Sequence, residues 1–467
     1  MLNFFVRLSE VLNSIFFYEV YGFPILVVWL FVAGVYLSFK LNFPNIRLFK
    51  HGIDVAVKNK YYSPNDPGEM TPRQSLFTSI TGTVGLGNIS GVAIAVGLGG
   101  PGAVIWIIIC GFFAMNTIFT EAVLAQTYRE VLPDGKVNGG PFRYLKYGLK
   151  EIGFAKFGAI LSLCFSVFFI IGSIGSLMVQ VNQAIVTLTD FKIFSNFGLI
   201  ISILFCLGIF AIIASGTETV GNATSELVPA MALIYTVGIF TILAFHFKNI
   251  PSAIVEMVKD AFTIKSTFAG FIGSVVAVGI KRASYSNEGG LGTSAIAHAV
   301  AKTKEPVRQA SIASLTPMIS AGFFCFLTGL AIVATGVHGG DTEGIVMTKR
   351  AFATVSSWFQ IILSIMIVIF AFANCLATLF YAQSVWKDLS KEKYIMFFNV
   401  VSVLFLLPAG FLDLKTVVDI SDVFFLSISI PNLIGVYMLS GIVKNKLEIY
   451  IQKLKSGEFE KKEKISK

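Results

Sequence analysis

Charge is what this 467-residue sequence has least of: Asp, Glu, Lys and Arg make up 13% of it, against about 25% in an ordinary soluble domain. A water-facing surface is built from those four residue types, so a soluble globular chain is excluded. Histidine numbers four. His51, His246, His298 and His338 lie far apart, with no HExxH spacing, and a catalytic metal is not expected. Cys110, Cys164, Cys206, Cys325 and Cys375 all fall inside apolar runs without paired spacing. They read as buried small hydrophobes, not as a disulfide framework or a metal set. No nucleophile, base or metal cluster stands at usable spacing, so an enzyme is not expected and no cofactor is implied. No small-residue cleavage site precedes the first apolar run, which suggests an uncleaved first membrane helix.

What the chain does have is apolar length. Hydrophobic residues make up 55% of it, Phe alone numbers 45, and the mean hydropathy is +0.77. This is an integral membrane composition, all-α by expectation. Runs of about 20 apolar residues give about eleven spans. They lie near 20–39, 76–99, 101–125, 157–182, 197–215, 227–247, 266–282, 310–335, 357–384, 394–411 and 416–442. With the C-terminus cytoplasmic and the N-terminus outside, 28 of the 36 Lys and Arg fall on the cytoplasmic side. That is a strong positive-inside bias, expected of a multi-pass protein of the cell (inner or plasma) membrane. The net charge of +9 therefore reflects topology and implies no nucleic acid. The basic tail, 443–467, reads as a solvated end near anionic lipid. The loop at 216–226 carries Glu218 and Glu226 but no Lys or Arg, for which we have no account.

The most informative stretch is TGTVGLGNISGVAIAVGLGG, residues 81–100. It is apolar enough for a bilayer, yet carries seven glycines, each costing roughly 1 kcal/mol against Ala inside a helix. Unsatisfied backbone in hydrocarbon costs several kcal/mol per group, so irregular backbone is tolerated there only against protein or a water-filled cavity. The stretch reads as a broken helix whose N–H and C=O groups face a ligand. A packing seam of small residues is the alternative. A second glycine-interrupted span, with Gly270, Gly273 and Gly279, runs into YSNEGGLGTSAIAHAVA at 285–301. Each broken span follows an amphipathic stretch, 46–60 and 250–263. The two are five spans apart, an odd offset that inverts one half relative to the other, as in many secondary transporters. The expected division is an N-terminal helix and amphipathic segment (1–75), a first five-helix repeat (76–247) and an extracellular connector (248–265). A second, inverted repeat (266–442) and the tail (443–467) follow. Polarity concentrated at two breaks favours alternating access over the continuous polar lining of a channel.

GTVGLGNISGVAIAVGLGGPGAVIW (82–106), TEAVLAQTYRE (120–130), GGPFRYL (139–145), YSNEGGLGTSAIAHA (285–299) and DLKTVVDISDVFFLSISIPNLIGVYML (413–439) resemble the alanine or glycine:cation symporter family. The similarity runs from about 70 to 440. It implies a LeuT-type 5+5 inverted repeat with one extra N-terminal helix, and import of small neutral amino acids such as alanine, glycine, D-alanine or serine. Coupling to Na⁺, or in some members to H⁺, is also implied; a monomer in the lipid bilayer is expected. A zwitterion needs donors for its carboxylate and acceptors for its ammonium, and a broken helix offers both. Candidate substrate contacts are Thr83, Gly85, Gly87 and Asn88, with Phe268, Phe271 and Gly273 as the opposing wall. Gln180 is the candidate amide, next to Asn182, and Thr378 joins from the ninth span. Ion ligands are expected from Gly82, Thr83 and Asn374. Glu121 is expected to pair with Arg129 or Arg143, and Asn287 with Glu288 to brace or gate the cytoplasmic exit beside Lys281 and Arg282.

In the ninth span the sequence departs from the family, which carries Phe-Ser-Thr, a Trp and Tyr-Tyr-Gly-Glu. Here stand Phe372-Ala373-Asn374, Thr378 and Phe380-Tyr381-Ala382-Gln383. Ala373 cannot ligate Na⁺, Asn374 can through its amide oxygen, and Thr378 in place of Trp makes the pocket roomier. VGLGN (84–88) also occurs in neurotransmitter:sodium symporters, but their following aromatic-Arg-Phe-Pro signature is absent.

Overall fold

Apolar runs in a membrane satisfy their own backbone only as helices or closed barrels, and the computed structural model of the chain is helical almost throughout. It describes residues 19–20, 23–58, 60–83, 85–133, 135, 137–215, 217–262, 272–339, 344–391 and 393–459, with backbone alone at 19–20, 23, 217–229 and 272–274. Among the described residues, seven helices are long and apolar enough to cross a membrane. A pair bent by 79°, Ala230–Phe245 with Phe247–Phe262, makes up to eight. Ile25–Lys40 and Ile395–Gly410 are shorter apolar helices where spans were expected.

In chain order, α1 is Ile25–Lys40, α2 Phe49–Lys58, α3 Pro72–Thr83, α4 Leu86–Gly99, α5 Ala103–Tyr128 and α6 Pro141–Glu151. Next come α7 (Ala155–Thr189), α8 (Gly198–Ser215), α9 (Thr217–Phe245), α10 (Ile250–Phe262), α11 (Ile272–Asn287) and α12 (Thr293–Ala299). The last six are α13 (Pro306–Thr335, π-helical over Met318–Cys325), α14 (Ile345–Ala353), α15 (Phe359–Ser390), α16 (Ile395–Leu406), α17 (Leu414–Ser427) and α18 (Ser429–Lys455).

Helix α3 starts at a capping box. Thr71 N donates to Gln74 Oε1 at 2.9 Å, Gln74 N donates to Thr71 Oγ1 at 3.2 Å, and Pro72 takes the first helical position. The helix stops at Thr83 and α4 begins at Leu86, so the first break falls inside the glycine-rich stretch, around Gly85.

The second break lies elsewhere than the glycine count suggests. Helix α11 runs unbroken through Gly273 and Gly279 to Asn287. Gly279 serves packing: a Cβ there would stand 2.5 Å from Trp106 Cβ on α5. The chain leaves helical geometry at Glu288, Gly290 and Gly292, with φ of 56°, 92° and 74°, a left-handed region that glycine enters without steric cost. The two interrupted helices cross, α11 packing along α4 and α12 along α3. This also relocates Lys281 and Arg282. They belong to α11, not to a cytoplasmic loop, and both contact Asp422 on α17.

As far as Phe459 the tail is docked and not a solvated end. Leu414–Lys455 spans 42 residues, about 63 Å at 1.5 Å per residue, roughly twice a hydrocarbon core, so the far part of α18 projects beyond it. There Tyr450 (1% exposed) and Phe459 (5%) are buried. The Tyr450 hydroxyl meets His51 Nε2 at 2.8 Å. Arg308 donates to Tyr61 O at 2.8 Å and stacks over the rings of Tyr61 and Phe459. Lys453 pairs with Glu305 at 3.3 Å. Apolar residues interleaved among the lysines dock this segment on α2 and the start of α13. Burial, and then the Arg308 guanidinium, push the His51 imidazole down to about 4. An unfolded histidine binds its proton near 6.5. The docked tail therefore loses stability as pH falls from about 6.5 to about 4. Tyr450→Ala should cost roughly 3–5 kcal/mol of local stability and make 444–459 protease-sensitive at neutral pH. The parent protein should become cleavable there on acidification through that window, and His51→Phe should abolish the acid effect; gel mapping of the fragments checks both.

Candidate functional site

The two breaks face a common, narrow cavity of about 30 Å³. The α3–α4 break contributes Gly82, Thr83 and Gly87; the α11–α12 break contributes Tyr285, Glu288 and Thr293. Helix α7 adds Phe169, Ser173, Ser176 and Gln180, and α15 adds Asn374, Thr378 and Tyr381. Spacings of three and four put each set on one helix face. Phe425 on α17 completes the wall. In the first turn of α4, Asn88 N donates to Gly85 O at 3.1 Å, and the positive end of the α4 dipole lies at the break. Of the last carbonyls of α3, Ile80 O accepts from Thr83 Oγ1 at 3.2 Å and Gly82 O from Asn374 Nδ2 at 3.2 Å. Thr378 donates to Asn374 Oδ1 at 3.2 Å, fixing the amide.

Both ends of the cavity are closed. On the α11 side, Arg282 pairs with Asp422, Tyr285 stacks on Phe425 with centroids 4.6 Å apart, and the Tyr285 and Ser421 hydroxyls meet at 2.6 Å. Helix α14 lies over this end. It is pinned to α7 by Lys349–Asp190 at 2.6 Å and by Ile345 N donating to Gln183 Oε1 at 2.9 Å. On the α12 side, Ser79 Oγ meets Ser294 Oγ at 2.9 Å, and the segment before α3 bridges the one after α12 through Lys302 N to Met70 O at 2.7 Å. Gln126 Nε2 donates to His298 O at 2.5 Å, while Arg129 reaches the carbonyls of Pro67, Ala299, Ala301 and Thr303 at 2.6–2.8 Å. Burial holds the Arg129 guanidinium down to about 10.

The structure brings Gly82, Thr83, Gly87, Gln180, Asn374 and Thr378 together at the cavity. Gly85 sits at the break itself, where a Cβ would stand 2.8 Å from Asn374 Nδ2. Asn88 turns away: it is fully buried, and its Oδ1 faces Cys325 Sγ at 3.5 Å, itself 3.1 Å from Ser286 Oγ. Asn182 binds the carbonyls of Ala409 and Leu412 and is structural. Phe268 and Phe271 lie outside the described residues, and Gly273 lies in α11, 12 residues before Tyr285.

Glu121 pairs with neither Arg129 nor Arg143. It accepts from Asn432 Nδ2 at 2.6 Å, while Arg129 serves carbonyls and Arg143 pairs with Glu130 and Asp388. Asn432 also donates to Gly290 O at 2.8 Å and accepts from the Tyr144 hydroxyl, so this cluster braces the second break. Asn287 caps the same segment, accepting from Gly289 N at 2.8 Å. Glu288 does not sit at an exit; it lines the cavity and accepts from Thr293. Sequence reasoning missed Ser173, Ser176, Tyr285, Tyr381 and Phe425. The three-and-four spacing of polar residues in the apolar runs of α7 and α15 was the available signal.

Residues 6–464 match the model described as the sodium:alanine symporter family. The chain is 33% identical over 453 residues to the sodium/alanine symporter AgcS of Methanococcus maripaludis, covering 96% of this chain and 97% of that one. It is 28% identical over 438 residues to the probable sodium/glutamine symporter GlnT of Bacillus subtilis, covering 93% and 89%. In fold it matches the crystal structure of MhsT in complex with L-phenylalanine, with a TM-score of 0.55 and 14% identity, covering 78% of this chain and 87% of that one. The fold is LeuT-type.

Asn432→Leu should strand the Glu121 carboxyl, Gly290 O and the Tyr144 hydroxyl together, each unpaired group costing about 1–3 kcal/mol. The expected result is a melting temperature several degrees below the parent in detergent. Arg143→Gln, removing two ion pairs to partly exposed carboxylates, should lower it less.

Proposed function

This chain belongs to the sodium:alanine symporter family, and from that premise we propose that its cavity binds one small neutral amino acid and delivers it inward with Na⁺ by alternating access. The chain is a multi-pass, sodium-coupled amino-acid symporter, not an enzyme. Alanine, glycine, D-alanine and serine are the proposed substrates, and the proposed topology has the N-terminus outside and the C-terminus cytoplasmic. One observation carries the reading: two helices break beside one another, and residues of both breaks line one narrow cavity. The N-terminal turn of α4, at the positive end of its dipole, suits a carboxylate. The narrow centre, bounded by Phe169, Tyr285, Tyr381 and Phe425, suits a side chain of few atoms.

For Na⁺ we propose Gly82 O, Thr83 and Asn374 as ligands. Asn374 Nδ2 now donates to Gly82 O. Turning the amide over would set Oδ1 beside that carbonyl, giving two hard oxygens of the kind Na⁺ takes. Thr378 in place of a Trp supports tolerance of serine, since its hydroxyl is small and polar.

Uptake into proteoliposomes under imposed Na⁺ or H⁺ gradients should be saturable for labelled alanine, glycine and serine and driven by Na⁺. If all three fail under both gradients, the substrate assignment is wrong; conductance without saturating uptake would indicate a channel instead. Asn374→Leu should raise the Na⁺ concentration for half-maximal uptake about tenfold or more, the loss of one ligand. A Cβ on Gly87 would stand 2.8 Å from Tyr285 O, a backbone atom. Gly87→Leu should therefore give a folded, membrane-inserted protein that does not bind alanine; retained uptake in that variant would sink the site.

A further inference from the structure

Glu288 places a carboxylate in the wall of a membrane-buried cavity, and no Lys, Arg or His stands among the described residues that line it. Thr293 donates to Glu288 Oε2; a neutral hydroxyl does not balance the charge. Burying a carboxylate without a cation is costly, so the wall formed by the described residues suits a positively charged group brought into the cavity. The backbone points the same way. Glu288 has a φ of 56°, where a non-glycine residue is strained, although its next two neighbours are Gly289 and Gly290. Backbone preference alone favours glycine at 288, yet the chain places a carboxylate there. A second acceptor lines the same cavity: Gln180 Oε1, on α7, is buried and has no hydrogen-bond partner among the described residues. Donors belong to the first break, where the opening turn of α4 presents its N–H groups and the positive end of its dipole. The cavity is thus polarised, with donors at α4 and acceptors at Glu288 and Gln180.

We propose that Glu288 is the ionic partner of the substrate's ammonium group, with Gln180 Oε1 as its second acceptor, so that the α11–α12 break selects for an amine while α4 takes the carboxylate. This rests on the amino-acid reading of the cavity and assigns its polarity. The recognised chemistry is a primary α-amine three bonds from a carboxylate oxygen. A 2-hydroxy acid of the same size leaves the carboxylate unpaired and is rejected, by the logic that makes an unmatched buried polar group a strong discriminator.

The test is equilibrium binding of labelled L-alanine to the purified full-length protein at saturating Na⁺, with L-lactate as competitor. Parent, Glu288→Gln and Glu288→Asp are compared. Glu288→Gln keeps the size and an acceptor for Thr293 but removes the charge. It should weaken alanine by about tenfold or more and narrow the alanine-to-lactate preference by a similar factor. Glu288→Asp, which keeps the charge at shorter reach, should fall between. The Na⁺ concentration for half-maximal alanine binding should stay within about twofold of the parent in the Asp variant. A merely structural role would weaken alanine and lactate alike, leave the preference intact, and overturn the proposal. So would unchanged alanine affinity in Glu288→Gln, or a shift in Na⁺ dependence with alanine affinity at saturating Na⁺ preserved, which would make Glu288 an ion ligand. If the parent itself binds no alanine, glycine or serine, the cavity reading fails first and this proposal with it.

Discussion

An interrupted helix inside a bilayer leaves backbone donors and acceptors that lipid cannot satisfy, and much of the polar architecture here answers that constraint. Gly82 O is met by Asn374, Gly290 O by Asn432 and Gly289 N by Asn287. Carbonyls after the second break, from His298 to Thr303, are gathered by Gln126 and Arg129. Apart from the local Asn287 cap, these braces reach the breaks from other helices, so the breaks hold only once the bundle is assembled. Gln180 Oε1, buried and without a partner among the described residues, borders the cavity.

The first break was legible because seven glycines and an asparagine crowd one apolar run. The second was misplaced for a related reason: glycines were counted as breakers, yet Gly273 and Gly279 lie in a continuous helix and Gly279 makes room for Trp106. The true break was hidden among charges. Lys281, Arg282 and Glu288 look like loop residues to a rule that reads charge as solvent contact. What keeps Lys281 and Arg282 in the bundle is Asp422, about 140 positions further on, and no local pattern announces a partner at that distance. Glu121 misled in the same way. Its nearest cations in sequence were Arg129 and Arg143, but its partner is the neutral amide of Asn432.

Other features stayed illegible through abundance. With 45 phenylalanines in the chain, nothing marks Phe169 or Phe425 as cavity walls. The tail illustrates the reverse error, where a run of lysines concealed Leu447, Tyr450 and Phe459, all buried against α2 and its surroundings. Family resemblance covered most of the chain and located the first break well. It could not say how Asn374 behaves, because that residue is where this chain differs; its contact with Gly82 O is a property of this structure.

The clasp around Arg129 has a mechanical consequence. Its guanidinium holds Pro67 on the approach to α3 and three carbonyls at and after the end of α12, while Lys302 N bonds Met70 O between them. The two half-helices on this side are therefore shackled into one lever, with the cavity at its fulcrum. They cannot swing apart independently; a displacement of either arm is transmitted to both breaks at once, as in rigid-body hinge motion. Coupled pivoting of this kind would let a single movement rearrange both breaks in the same stroke.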